Sequence, residues 1–148
     1  LAAMEVDTET GQVTVRKSVA VDDVRVQVTP MIVEGQVHGG LAQGIAQALY
    51  EGAFYDEDGL PLNANLSTYL IPAAPDLPSF ITDRTETPST THPLGTKGVG
   101  EAGTIASTPA IINGIVDALR PLGVTDVAMP ATPMTVWKTI QAAKGGQA

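Results

Sequence analysis

Three observations make the 148-residue sequence read as an α+β fold, a two-layer antiparallel sheet packed with helices. Valines alternate with polar residues at 13–15 and 24–28, with Val19 and Val21 at the same spacing between them, the period of strands that bury one face. Apolar residues then recur at helical spacing over 33–51, and again after Thr108 and Thr132. Proline and glycine clusters separate these stretches. The length corresponds to one domain, residues 1–148, able to bury a core of its own.

The elements follow in order. Asp7-Thr8-Glu9-Thr10-Gly11 supplies turn residues for a hairpin over Val6 to Asp22. The alternation of Val24, Val26 and Val28 extends the strand pattern until Pro30 stops it. Over 33–51, Val37, Leu41, Ile45, Ala48 and Leu49 mark the buried face of a helix. Tyr50 to Leu62 reads as two short strands around a turn at Asp56-Glu57-Asp58-Gly59. That acidic turn lacks the length and the closing glutamate of a calcium loop. Pro72, Pro75 and Pro78 keep 63–78 irregular, and Phe80 to Arg84 is a further strand. The Thr-, Ser- and Pro-rich stretch from Glu86 to Lys97 is a loop. Thr108 with Pro109 signals the start of a largely buried helix that Pro121 and Gly123 end. Val124 to Met129 reads as a short strand. Thr132-Pro133 opens a final helix with Val136, Trp137 and Ile140 inward, and the tail from Lys144 to Ala148 is loose.

Composition removes several function classes. A hydrophobic share of 43% is too high for a disordered chain. The net charge of −8, with its basic residues scattered, argues against nucleic acid or an anionic membrane as partner. There is no cysteine, hence no disulfide, thiolate zinc site or iron–sulfur cluster held by this chain. The two histidines, His38 and His92, lie far apart in sequence, and an isolated histidine is ordinarily structural. No apolar run suggests a membrane span and no signal peptide is visible, so a cytoplasmic location is expected. Leu1 to Val6 reads as the start of a strand, and the chain is expected to begin inside a longer polypeptide.

Two stretches carry chemistry. Gly95, Gly98, Gly100 and Gly103 crowd around one carboxylate, Glu101. Glycines let a backbone approach a ligand closely, and their N–H groups make an anion cradle. A glutamate inside such a cradle is unhelpful for holding phosphate, so it is either solvent-exposed filler or there for chemistry. The stretch 98–103 matches G-x-G-x-x-G, but a loop precedes it where a dinucleotide domain needs a strand, and too little chain follows. Separately, Gln36, Gly40, Gln43 and Gln47 share one face of the helix over 33–51. That face reads either as a solvated polar face or as a neutral hydrogen-bonding surface that another molecule could approach, and it carries none of the Glu and Lys usual on a solvated face before Glu51.

Glu34-Gly35-Gln36-Val37-His38-Gly39-Gly40-Leu41-Ala42-Gln43-Gly44, followed by Gly98-Val99-Gly100-Glu101, resembles the large, molybdenum-binding subunit of the xanthine dehydrogenase, aldehyde oxidase and aerobic carbon monoxide dehydrogenase family. Ser67 to Pro72 and Pro130 to Pro133 extend the resemblance over nearly the whole chain, as the C-terminal part of that subunit. The resemblance implies a molybdenum hydroxylase that oxidises an aldehyde, heterocycle or related small substrate. It implies that Glu101 is the general base, with water supplying the oxygen through a molybdenum-bound hydroxyl. A partly desolvated carboxylate would suit that work. It further implies that Gln36, Lys97, Gly98, Val99 and Gly100 line a molybdenum–pyranopterin cofactor, in its simple or cytosine dinucleotide form, with Gln43 in a supporting role. None of these residues ligates the metal directly. FAD and 2Fe–2S clusters are expected on partner domains or subunits, and the partners implied are the remainder of the large subunit, an iron–sulfur subunit and a flavin subunit.

There are departures. Where the family commonly shows Asp-Cys-Gly and then Asn-Pro, this chain has Asp23-Val24-Arg25 and Thr29-Pro30. Residues that would sort substrates are expected upstream of Leu1. The isolated chain is therefore expected to be inactive, and to self-associate or hetero-associate through an uncovered apolar surface. The alternative is a non-catalytic small-molecule-binding or scaffold domain that retains the fold.

Overall fold

A computed structural model describes residues 1–145; the end of the tail, residues 146–148, lies outside the described residues. The hairpin forms as its turn residues require. Strands β1 (Ala2–Val6) and β2 (Val13–Asp23) pair antiparallel, with a register shift between Ala3 and Met4. The Asp7 carboxylate accepts the N–H of Glu9 in the turn, and Gly11 takes φ +75°. Strand β3 (Phe80–Thr85) then joins β2 in parallel, from Ser18 opposite Phe80 to Asp23 opposite Thr85. The sheet is thus mixed, in the order β1-β2-β3, within the expected α+β class.

Helices α1 (Pro30–Leu49), α2 (Ala102–Leu119) and α3 (Pro133–Gly145) complete the fold. Val13 and Val15 of the sheet meet Ile45, Ile111, Ile115 and Ile140 in one core. Lys144 and Gly145, expected to be loose, are the last residues of α3.

Several expectations are corrected. Val24 to Val28 is no strand: β3 ends its pairing at Asp23, so the segment has no ladder partner, and Arg25 turns the chain at φ +54°. Of its valines only Val24 is buried, while Val26 and Val28 are exposed. Tyr55 and Pro61 make an isolated bridge instead of two strands, flanked by hydrogen bonds from the Leu62 N–H to Phe54 and from the Asp56 N–H to Leu60. The turn between them forms as expected, Asp56 accepting from the N–H groups of Asp58 and Leu60. Val124 to Met129 is irregular; Val124 and Val127 are both buried, at a spacing of three that a strand burying one face does not give. Trp137 stands 39% exposed rather than inward.

Helix α2 differs most. It begins at Ala102, six residues before Thr108, so Pro109 is interior. The missing N–H frees the carbonyl of Ile105, on an exposed turn where water can satisfy it. The helix is buried on one face only, through Gly103, Ser107, Ile111, Ile115 and Leu119. The segment Ala102–Leu122 is in fact long and apolar enough for a membrane span by length and composition, yet this buried face belongs to the protein core.

Candidate functional site

Small residues set the geometry of the site. Helices α1 and α2 cross so closely that a β-carbon on Gly40 would lie 3.1 Å from the Gly103 Cα, and one on Gly44 would lie 2.6 Å from the Ser107 Cβ. Spacing of four residues on each helix, Gly40/Gly44 against Gly103/Ser107, keeps all four on the facing sides. Hydroxyl groups lock the register. Thr104 Oγ1 donates to the Gly40 carbonyl at 2.8 Å, Ser107 Oγ to Leu41 at 3.1 Å and Thr108 Oγ1 to Gly44 at 3.2 Å. Thr108, expected to cap a helix, instead stitches two helices together.

This crossing carries the start of α2 to the side of α1. Glu101 is the N-cap residue of α2, and its side chain makes no capping bond. The carboxylate is exposed, with no hydrogen-bond or ion-pair partner among the described residues. Thus the partial desolvation expected of a general base is not supplied by these residues. The positive end of the α2 dipole lies beside that carboxylate.

Gln36 comes to the same place. Its Oε1 is the nearest atom to a β-carbon built on Gly100, at 3.9 Å, and a β-carbon on Gly98 would meet nothing within 4 Å. Two motifs some sixty residues apart therefore share one surface. Backbone N–H groups of Gly98, Val99, Gly100 and Glu101 point to no acceptor among the described residues. Gln43 and Gln47 lie further along α1. Each accepts a hydrogen bond from α2, from Thr104 at 3.5 Å and Thr108 at 3.2 Å respectively, so both brace the helix pair.

Lys97 is engaged within the chain. Its Nζ donates to Asp23 Oδ2 at 2.9 Å, while Asp23 Oδ1 accepts the N–H of Thr87 at 2.9 Å. Chiefly through the Lys97 hydrogen bond, with Thr87 second, the Asp23 carboxyl is held down to about 2. His38 packs its ring against Phe80, centroids 5.6 Å apart, with a buried Nε2 that has no partner among the described residues. His92 serves the loop: Nδ1 accepts from the Gly95 N–H at 3.2 Å, so Nε2 carries the proton and donates to the Thr96 carbonyl at 3.1 Å.

The donor set suits a polar, anionic, closely approaching cofactor. It offers two glycines, Gly98 and Gly100, with open space where a β-carbon would stand, uncovered N–H groups and the neutral Gln36 amide, while the Lys97 ammonium is held by Asp23. No three acidic or histidine side chains converge among the described residues to ligate a bare metal. Sequence reasoning missed Thr104, Ser107 and Thr108 as the parts that hold the site together. The four-residue spacing of Gly40/Gly44 and Gly103/Ser107 was the available signal.

Comparison with known proteins gives a consistent result. Residues 1–78 match the family model of a molybdopterin cofactor-binding domain. The chain is 40% identical over 141 residues to the carbon monoxide dehydrogenase large chain of Hydrogenophaga pseudoflava, covering 95% of this chain and 18% of that one. It superimposes on reconstituted CO dehydrogenase from Oligotropha carboxidovorans with a TM-score of 0.91 and 37% identity, covering 98% of this chain and 18% of the other. Against quinoline 2-oxidoreductase from Pseudomonas putida 86 the TM-score is 0.89 at 39% identity, covering 93% and 18%. The chain thus spans less than a fifth of the length of these relatives.

Proposed function

This chain belongs to the molybdopterin cofactor-binding family of the xanthine dehydrogenase, aldehyde oxidase and carbon monoxide dehydrogenase group, and from that premise we propose that it forms one wall of the cofactor pocket of a molybdenum hydroxylase. The observation that carries the proposal is the meeting of Gln36 with the Gly98–Glu101 loop on one surface. Gln36 would hydrogen-bond the polar edge of the pterin. Lys97, Gly98, Val99 and Gly100 would line it with their backbone, the Lys97 ammonium being held by Asp23, and Gln43 would give support from behind. When bound, the molybdenum–pyranopterin supplies a two-electron redox centre for oxidising a small aldehyde, heterocycle or related substrate with oxygen drawn from water.

Glu101 then has one task. Its carboxylate accepts a proton at Oε, from the start of a helix whose position the α1–α2 crossing fixes. An exposed carboxylate would gain the low-dielectric surroundings that favour such a transfer when cofactor and substrate close over it. Substrate choice, the electron-carrying 2Fe–2S and FAD groups, and the other pocket walls belong to further parts of the large subunit and to partner subunits. Exposed Met31, Ile32, Val26 and Val28 support such packing. The 148-residue chain alone would not turn over.

Gly98→Val tests the pocket. The β-carbon it adds would meet nothing within 4 Å in the present chain, so folding should be retained. In the natural polypeptide that carries this sequence, molybdenum content should fall severalfold. Full molybdenum loading of the valine variant would exclude this loop as a cofactor wall.

A further inference from the structure

The loop that delivers Glu101 is tied down from the end of β2. Arg25 is the non-glycine residue at positive φ among the described residues, at +54°. This left-handed conformation is costly for a side chain with a β-carbon. What it achieves is direction: the guanidinium crosses to the Leu94 carbonyl and donates Nη1 to it. Gly95 next to it is buried, at φ +59°, and a β-carbon there would run into the Arg25 guanidinium and come within 3.1 Å of the Ser89 carbonyl oxygen. The strained arginine and the bare glycine therefore fit each other. Two residues earlier, Asp23 holds Lys97 and the Thr87 N–H.

Between these two anchors the loop is closed on itself. Ser89 N–H donates to the Gly95 carbonyl at 3.0 Å and Gly95 N–H to the His92 carbonyl at 3.0 Å. From Lys97 onward the chain runs through Gly98 and Gly100 to Glu101 with few internal bonds, so its placement depends on where Leu94 to Lys97 are held. We propose that Arg25, together with Asp23, is a positioning residue: it clamps the 94–97 segment to the end of β2 and so fixes the approach of the Gly98–Glu101 loop to α1. This inference rests on the role given to Glu101 above.

The test is amide exchange in the full chain, read at Ser89 and Gly95. Arg25→Gly accepts φ +54° without strain, which offsets part of the cost of the lost hydrogen bond, so the global unfolding midpoint should change little. Exchange at Ser89 and Gly95 should nonetheless accelerate about tenfold, the size expected from losing one charge-assisted hydrogen bond. Arg25→Lys, which keeps a charged donor, should return much of the protection. Gly95→Ala should accelerate exchange in the parent chain and do so less in the Arg25→Gly background, where the obstructing guanidinium is gone. Unchanged exchange in Arg25→Gly, or strictly additive effects of the two substitutions, would overturn the clamp. Exchange needs neither cofactor nor turnover, so it fails or succeeds separately from the chemistry of Glu101. In the loaded enzyme, Arg25→Gly should lower kcat more than it changes KM.

Discussion

Gly103→Ala isolates the packing on which the whole site depends. The added β-carbon would stand 2.5 Å from the Val37 carbonyl oxygen, 3.0 Å from the Leu41 nitrogen and 3.2 Å from the Gly40 carbonyl carbon. Ordinary contact begins at 3.4 Å, so against Val37 the shortfall is 3.4 less 2.5, about 0.9 Å. Every one of these atoms is backbone of α1, so no rotamer change relieves the clash and the helices must part. Forcing a methyl into a closed seam costs about 1–3 kcal/mol. Alanine's better helix propensity returns up to about 1 kcal/mol. With the full propensity gain returned the net expectation is a loss of about 0–2 kcal/mol, about 1 kcal/mol at mid-range, or a fall of roughly 2–4 °C in Tm for a chain of this length. Gly39→Ala is the internal control, since a β-carbon there meets nothing within 4 Å and should add about 0.5–1 kcal/mol. Thermal and urea unfolding followed by circular dichroism would read both. Should Gly103→Ala gain stability as Gly39→Ala does, the close crossing is refuted.

Other consequences can be measured on the same chain. Thr104→Val removes the donor to the Gly40 carbonyl and should cost about 0.5–1.5 kcal/mol, with Thr104→Ser restoring most of it. Pro109→Ala restores an N–H for the Ile105 carbonyl inside α2 and should raise stability by about 1 kcal/mol or more. Asp23 is depressed from 3.8 to about 2 in the folded chain. Its contribution is therefore in place above pH 3.8 and lost as pH falls through about 2. Parent and Asp23→Asn should differ in stability at neutral pH and converge near pH 2; a difference that persists there would deny the Lys97 and Thr87 contacts.

Much of the architecture was legible because it follows from period. The valine alternation before Asp23 and the spacing Val37, Leu41, Ile45, Ala48 mark β2 and α1, and both form. Period without a partner misleads: Val24 to Val28 alternates well but lies beyond the last residue of β3 that could pair with it. The start of α2 was hidden for another reason. Thr108-Pro109 is a good local start signal, and only the tertiary seam of Gly103 and Ser107 against α1 makes six earlier residues helical. Within the site, Gln36, the glycine loop and Glu101 were visible as residue types out of place: amides where charge is usual, and an acid among glycines. Arg25 was not, since nothing local indicates that a guanidinium will reach a carbonyl 69 positions away.

The chemistry assigned to Glu101 is tested most directly by Glu101→Gln in the natural polypeptide. Molybdenum content and substrate turnover should be measured on the same preparation. The side chain is exposed and has no partner among the described residues, so the amide should leave folding and molybdenum content at the parent level. Turnover should fall by about 10²–10⁴-fold, the usual contribution of a positioned base. Parent-like turnover at full molybdenum content would contradict the role of Glu101 and favour a wall that binds without taking part.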